Sequence, residues 1–261
     1  MDTHRTATHE HGRLLYQKPG AAGLLQVRQQ ASQCSLYIDD IEQSRIDTQR
    51  HDTLVLPVQR ALLACLMFVP GPRKVLLGGL GGGALARFIH RIEPEVMGDA
   101  VEIDPQIAAL CRRYFDFPAR NWQIHVGDIR HWQGRDADLA IIDIAEADAT
   151  PSWLLSEGCL QGLQQGLSPH GVLVLDLLVD SVQQLSAVLQ RLRQQFQRRT
   201  LCLTVPGHKN IIVMAFNDVP LHIGLPALRS RCAQLAAHWH IDFDALLSRL
   251  QQDNPPDNGF F

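Results

Sequence analysis

The sequence KVLLGGLGGGALARFIHRI, from Lys74 to Ile92, joins a predicted strand to a predicted helix. Apolar residues run into five glycines interrupted only by Leu80, and a helical pattern begins at Ala84. Glycine at such a junction permits positive φ and lets a ligand approach the backbone. The helix that follows presents unpaired N–H groups and a partial positive charge. The stretch therefore predicts a ligand-binding loop, with a tight turn that only packs helix on strand as the alternative.

Acidic residues end the next two predicted strands. The strand VMGDAVEID carries Glu102 nineteen positions after Gly83, which is the spacing at which an acid binds ribose hydroxyls. The strand WQIHVGD ends at Asp128, where a carboxylate can meet an adenine amino group. Three consecutive strand ends, one with the glycine loop and two with an acid, together predict a nucleoside-type ligand.

Strands and helices alternate through the middle of the chain. The buried run ADLAIIDIA ends near Asp143. The run GVLVLDLLV contains Asp176, whose side chain is expected either to face the pocket or to point away from it. Asp104, just before Pro105, is expected to cap a helix. RTLCLTV and NIIVMAF read as an antiparallel pair. The order predicts an α/β fold with a mostly parallel, Rossmann-like sheet of seven strands that ends in an antiparallel hairpin.

Four segments are expected along the chain. Residues 1–22 are predicted to be a mobile arm, and 23–70 a small β-domain with a turn at Asp39-Asp40 and a linking helix. Residues 71–225 form the predicted Rossmann-like domain, and 226–261 the closing helices and a tail.

Composition narrows the classes of function. The formal net charge is −3, and no basic region indicates a nucleic-acid partner. The longest apolar run, residues 61–69, is about half as long as a membrane span. The histidines at His9, His11, His238 and His240 lack a third metal ligand nearby. We therefore expect a cytoplasmic protein that uses no metal and binds neither nucleic acid nor membrane.

Six segments together resemble the spermidine synthases, or polyamine aminopropyltransferases, which have the class I S-adenosylmethionine-dependent transferase fold. They are LYIDDIEQS, RKVLLGGLGGG, VEIDPQIAALCRRYF, VGDIRHW, DLAIIDIAEA and LSPHGVLVLDLL. The resemblance implies a small N-terminal β-domain and transfer of an aminopropyl group from decarboxylated S-adenosylmethionine to a small-molecule amine, leaving methylthioadenosine. It also implies a possible homodimer.

The resemblance assigns residues to two roles. Asp143 and Glu146 are the implied catalytic acids, with Asp148 as a rival to Glu146. The implied cofactor-binding residues are Gln43, Gly78, Gly79, Gly81, Gly83, Glu102, Asp128, Ile129 and Asp143.

The chain departs from the family pattern where the reacting groups bind. Leu80 replaces the aspartate of the glycine loop, Glu146 replaces the second aspartate of the family's D-S-S-D, and Val58-Gln59-Arg60 replaces Y-H-E or Y-Q-E. Cationic substrates in a water-poor site need carboxylates nearby. Two alternatives therefore stay open. One is a methyltransferase that uses S-adenosylmethionine and leaves S-adenosylhomocysteine, and the other is a non-catalytic homologue that only binds the cofactor.

Overall fold

A small antiparallel sheet opens the part of the chain that this computed structural model describes, namely residues 12–146, 149–218 and 224–254. Strands β1 (Arg13–Gly20), β2 (Gly23–Gln30), β3 (Gln33–Ile38) and β4 (Ile41–Asp47) pair in the order of the sequence. Asp39 and Asp40 form the predicted turn between β3 and β4, with φ of 47° and 65°. Tight hairpin turns of this kind need positive φ at both central residues, a conformation that aspartate tolerates.

The mobile arm predicted for residues 1–22 is wrong where it covers strand β1. This strand pairs with β2 from Arg13↔Gln29 to Gly20↔Gly23, and its Leu15 and Tyr16 pack against the core. This edge strand has one partly buried patch and too few apolar residues to show a period of two, so RLLYQKPG did not predict a strand. Residues 1–11, with His9 and His11, lie outside the described residues.

Helix α1 (Pro57–Leu62) and a 3-10 turn (Leu63–Met67) link this sheet to the larger one. Every residue from Ala61 to Met67 is buried, so most of the longest apolar run of the sequence is core. Within the described part of the chain, no helix combines the length and apolarity that crossing a membrane requires. The cytoplasmic location stays a prediction.

The larger sheet has the seven strands that the sequence predicted, and their order is β10-β11-β9-β8-β5-β6-β7. Strands β5 to β9 are parallel, and β11 pairs antiparallel with both β9 and β10. The strands are β5 (Lys74–Gly78), β6 (Met97–Glu102), β7 (Trp122–Val126), β8 (Ala137–Ile142), β9 (Leu167–Leu178), β10 (Thr200–Thr204) and β11 (Asn210–Phe216).

Helices cover both faces of this sheet. They are α2 (Ala84–Ile92), α3 (Pro105–Tyr114), α4 (Glu157–Gln165), α5 (Val182–Gln195), α6 (Leu225–Trp239) and α7 (Phe243–Asp253). The two closing helices α6 and α7 agree with the sequence prediction. The predicted tail, residues 255–261, lies outside the described residues.

The direction of the chain reverses beside β5. From β5 the chain proceeds to β6 and β7 on one side, and then returns to place β8 on the other side. In open parallel sheets, ligands bind at such a point, beyond the carboxyl ends of the strands. A ligand site is therefore expected beyond the carboxyl ends of β5, β6 and β8.

Candidate active site

A cavity of about 350 Å³ lies at this reversal point. The parallel strands contribute their carboxyl ends, and the N-terminal sheet covers the cavity with residues that include Leu36, Ile38 and Gln43. Eight of the ten residues assigned from the sequence line it together, namely Gln43, Gly79, Gly81, Glu102, Asp128, Ile129, Asp143 and Glu146. Gly78 and Gly83 do not line it: Gly78 ends strand β5, and Gly83 is the residue that caps helix α2.

Protein packing explains part of the glycine loop. Gly79 has φ of 82°, and a Cβ there would lie 2.2 Å from the carbonyl oxygen of Asp143. Gly81 has φ of 51°, but a Cβ there would approach nothing closer than 3.7 Å. Gly79 is therefore required by the neighbouring strand end, which agrees with the packing explanation. Gly81 has a left-handed backbone and lies in the cavity wall without such a clash, and its contact with a ligand stays a prediction.

Glu102 holds the loop in place. Its Oε2 accepts a hydrogen bond from the backbone N–H of Leu80 at 3.0 Å, and its Oε1 accepts one from the N–H of Asp104 at 2.9 Å. The residue is only 6% exposed. Burial raises the pKa of Glu102, while the two backbone N–H groups act against that shift. A carboxylate has about four acceptor positions, so each oxygen retains capacity for a ligand hydroxyl.

Asp104 connects the two sheets beside the cavity. Its Oδ1 accepts a hydrogen bond from Gln106 N at 2.7 Å, which confirms the predicted cap of helix α3. Its Oδ2 accepts one from Ala21 N at 3.3 Å, in the turn between β1 and β2. Asp104 thereby lines the cavity while its carboxylate stabilises the approach of the N-terminal sheet.

Asp128 is bound by a neighbour that the sequence did not reveal. The Nε of Arg130 contacts Asp128 Oδ1 at 3.0 Å and Oδ2 at 2.9 Å, and the backbone N–H of Arg130 donates to Oδ1 at 2.9 Å. The hydrogen-bonded guanidinium of Arg130 lowers the pKa of Asp128. Asp128 is therefore a held carboxylate at the cavity wall rather than a free acceptor.

Trp153 connects this ion pair to Glu146. The Arg130 guanidinium lies 4.8 Å from the centre of the Trp153 ring, and Trp153 Nε1 donates to Glu146 Oε1 at 2.8 Å. Both Trp153 and Glu146 line the cavity. Trp153 was not among the residues assigned from the sequence, although a tryptophan just after a strand-end loop was the available signal. Asp148, the rival of Glu146, lies outside the described residues.

Asp143 lies at the end of β8, next to a second buried acid. By surface area it is open to the cavity, yet protein atoms surround it closely enough for burial to raise its pKa. Asp176, at the matching position of β9, is 5% exposed, and Asn210 Nδ2 donates to its oxygens at 3.0 and 2.7 Å. Burial, together with the charge of Asp143, raises the pKa of Asp176 to about 8.

Two polar atoms in the cavity wall have no partner in the described part of the chain. They are Ser44 Oγ and Gln59 Oε1, and both residues are buried. Gln43, by contrast, donates from Nε2 to the carbonyl oxygen of Ile41 at 3.3 Å. Gln59 is the one position of Val58-Gln59-Arg60 that matches the family pattern and lines the cavity, whereas Arg60 does not line it.

Leu80 replaces a loop acid with an apolar surface. The residue is 7% exposed and belongs to the cavity wall. The four other carboxylates of the wall are each engaged: Glu102 and Asp104 by backbone N–H groups, Asp128 by Arg130 and Glu146 by Trp153. Asp143 differs from them, because within the described part of the chain no cation and no backbone N–H group lowers its pKa.

Known proteins resemble this chain in sequence and in fold, although no protein-family model matches it. A polyamine aminopropyltransferase from Chromobacterium violaceum is 30% identical over 223 residues, which are 83% of this chain and 85% of that protein. The human eEF1A lysine and N-terminal methyltransferase is 29% identical over 141 residues, which are 48% of this chain and 20% of that protein.

Solved structures show the same fold. A probable spermidine synthase from Corynebacterium glutamicum has a TM-score of 0.74 at 18% identity and covers 85% of this chain and 86% of its own. A spermidine synthase in complex with the transition state analogue AdoDATO has a TM-score of 0.67 at 15% identity and covers 95% and 88%. At these identities the structures establish the fold, and the sequence relative establishes the family. By its sequence, its seven-stranded sheet and its small N-terminal sheet, this chain belongs to the polyamine aminopropyltransferases.

Proposed function

We propose that this protein transfers an aminopropyl group from decarboxylated S-adenosylmethionine to a small-molecule amine. The observation that carries this proposal is Asp143, an acid without a bound cation, which opens into the cavity directly beside the glycine loop. The backbone N–H of Asp143 donates to Gly78 O at 2.8 Å, so the acid and the loop have a fixed relative position. The family relationship and the AdoDATO complex of a protein with the same fold also support the proposal.

The residues present suit an adenosyl sulfonium. Glu102 has the acceptor capacity to bind the ribose hydroxyls, and Ile129 and Ile103 offer apolar surface in the cavity wall for the adenine ring. When bound, this substrate supplies an electrophilic carbon next to a positive sulfur. Asp143 then accepts a proton from the attacking amine nitrogen, because general-base catalysis needs a carboxylate within hydrogen-bonding reach of the nucleophile.

Glu146 is assigned a different role from Asp143. Its carboxylate accepts from Trp153 Nε1, and the Arg130 guanidinium lies 4.8 Å from the centre of the same Trp153 ring. The indole N–H and the nearby cation hold the Glu146 carboxylate in place at the cavity wall. We therefore propose that Glu146 attracts the cationic amine, while Asp143 takes its proton.

The experiment measures one product, methylthioadenosine, with one donor and each of three amines. Purified protein is incubated with decarboxylated S-adenosylmethionine and putrescine, cadaverine or spermidine, and methylthioadenosine is quantified by liquid chromatography. Asp143→Asn serves as the inactive control. Release of methylthioadenosine that depends on both the amine and Asp143 is the expected result. Failure to release it with any of the amines tested would exclude aminopropyl transfer to these acceptors.

Methyl transfer is the second candidate, and Leu80 is the observation that favours it. The intact methionine carboxylate would meet an apolar side chain there instead of a like charge, and one sequence relative is a methyltransferase. Leu80→Asp should bind the decarboxylated substrate roughly tenfold tighter, because a charge-assisted hydrogen bond contributes about 1.5–3 kcal/mol. Leu80→Asn is the matched neutral control. Calorimetry in which wild type prefers the intact substrate would favour methyl transfer instead.

A further inference from the structure

Asp143 and Asp176 are brought side by side by the pairing of two strands. Strands β8 and β9 are parallel with Ile142 opposite Leu175, so the next positions, Asp143 and Asp176, are also adjacent. Adjacent residues of paired strands project to the same face of a sheet. Their carboxyl groups are close enough to share a hydrogen bond.

The two acids differ in access. Asp143 lines the cavity, whereas Asp176 is buried and does not line it. Asn210 in β11 donates to both oxygens of Asp176, which fixes that carboxyl from the side away from Asp143. Substrate can therefore reach Asp143 only, and Asp176 can act only through it.

No cation compensates the pair within the described part of the chain. The groups that shift the pKa of these acids are the two acids themselves and Asn210. Helix α1, which packs on β9 and β11, carries Arg60, and helix α4, which packs on β9, carries Glu157 at its exposed first turn. Neither is among those groups. Two adjacent carboxylates without a cation retain one proton between them, and the less solvated member, Asp176, holds it.

We propose that Asp176 is a positioning residue whose retained proton is donated to one oxygen of Asp143, which fixes the other oxygen toward the cavity as the base. This inference rests on the proposed aminopropyl transfer. In that step the amine nitrogen forms a C–N bond, and the C–S bond breaks with its electron pair moving to sulfur. The proton leaves the nitrogen for the free oxygen of Asp143. The pair then holds two protons, and one passes to water after product release.

Two substitutions at position 176 separate hydrogen bonding from charge. Asp176→Asn keeps a donor toward Asp143 and an acceptor for Asn210, whereas Asp176→Ala removes both. We expect kcat to fall by roughly tenfold or more in Asp176→Ala and by only about two- to fivefold in Asp176→Asn, since a positioned base contributes about 10²–10⁴-fold. KM for decarboxylated S-adenosylmethionine should change by less than about twofold in both. Equal losses of kcat in the two variants would overturn the proposal.

A pH profile tests the shared proton directly. Loss of the Asp176 proton removes the hydrogen bond that positions Asp143, whereas Asp176→Asn keeps its donor, so the ratio of wild-type to Asp176→Asn kcat/KM should fall as pH increases through about 8. Asp136→Asn removes an exposed charge at a left-handed position that asparagine tolerates, and is the matched control with a flat ratio. A flat ratio for Asp176→Asn as well would contradict the proposal.

Thermal unfolding gives a readout that does not require activity. A buried acid with a raised folded pKa keeps its proton in the native state and loses it in the unfolded state, so stability falls as pH rises from about 4 to about 8. Asp176→Asn removes that fall, and its Tm should rise relative to wild type over this range. If this shift is observed but no amine is turned over, the proposed function fails and the shared proton stands. If the Tm difference is independent of pH, the shared proton is refuted.

Discussion

Glu102→Gln tests whether one buried carboxylate determines the position of the glycine loop. In the wild type, both oxygens accept from backbone N–H groups, those of Leu80 at 3.0 Å and Asp104 at 2.9 Å. A glutamine side chain has one oxygen and one NH₂, so one of the two N–H groups would face another donor. Leaving such a buried N–H unpaired costs about 1–3 kcal/mol.

Two further effects adjust this magnitude in opposite directions. The remaining hydrogen bond loses its charged acceptor, which weakens it by about 1 kcal/mol. Removing the buried charge of Glu102 offsets a loss of similar size, because burial disfavours the ionised carboxylate and raises its pKa. The expected net loss of unfolding free energy is therefore about 1–3 kcal/mol, which lowers Tm by roughly 2–12 °C in a chain of this size.

The assay is thermal unfolding of Glu102→Gln beside Glu157→Gln. The control makes the same chemical change at an exposed residue in the first turn of helix α4. We expect the control to remain within about 0.5 kcal/mol of wild type. Titration with methylthioadenosine should also show weaker binding by Glu102→Gln, because the loop and the ribose-binding carboxylate change together. Equal Tm values for the two variants would show that Glu102 does not hold the loop.

Two further substitutions test neighbouring parts of the cavity. Gly79→Ala places a Cβ 2.2 Å from the carbonyl oxygen of Asp143 and should lower Tm and methylthioadenosine affinity, whereas the control Gly158→Ala, in open space on a helix, should raise unfolding free energy by about 0.5–1 kcal/mol. A Gly79→Ala protein as stable as wild type would contradict this packing. Trp153→Phe removes the hydrogen bond to Glu146, and we expect kcat/KM for the amine to fall by roughly two- to tenfold with stability changed by less than about 1 kcal/mol. Steady-state kinetics checks this, and unchanged kcat/KM would show that the indole N–H does not position the acid.

The strand ends were predictable because they are local features. Glu102 and Asp143 follow apolar runs, and parallel strands bring their carboxyl ends to one edge whatever their order in the sheet. The cap formed by Asp104 was predictable for the same reason, since its main partner lies two residues away. These contacts depend on short stretches of sequence, and the patterns of strand, loop and helix identify them.

The contacts that complete the site depend on the tertiary arrangement. Strand β1 forms because β2 presents an edge to it, and Trp153 reaches Glu146 because the chain folds back between β8 and α4. The sequence alone determined the strand-and-glycine framework and the acids at its edge. Only the tertiary structure decided that Asp143 has Asp176 as its neighbour, because that pairing requires β9 to lie beside β8 in one particular register. A shift of that register by one residue would turn the Asp176 side chain to the opposite face of the sheet and leave Asp143 alone.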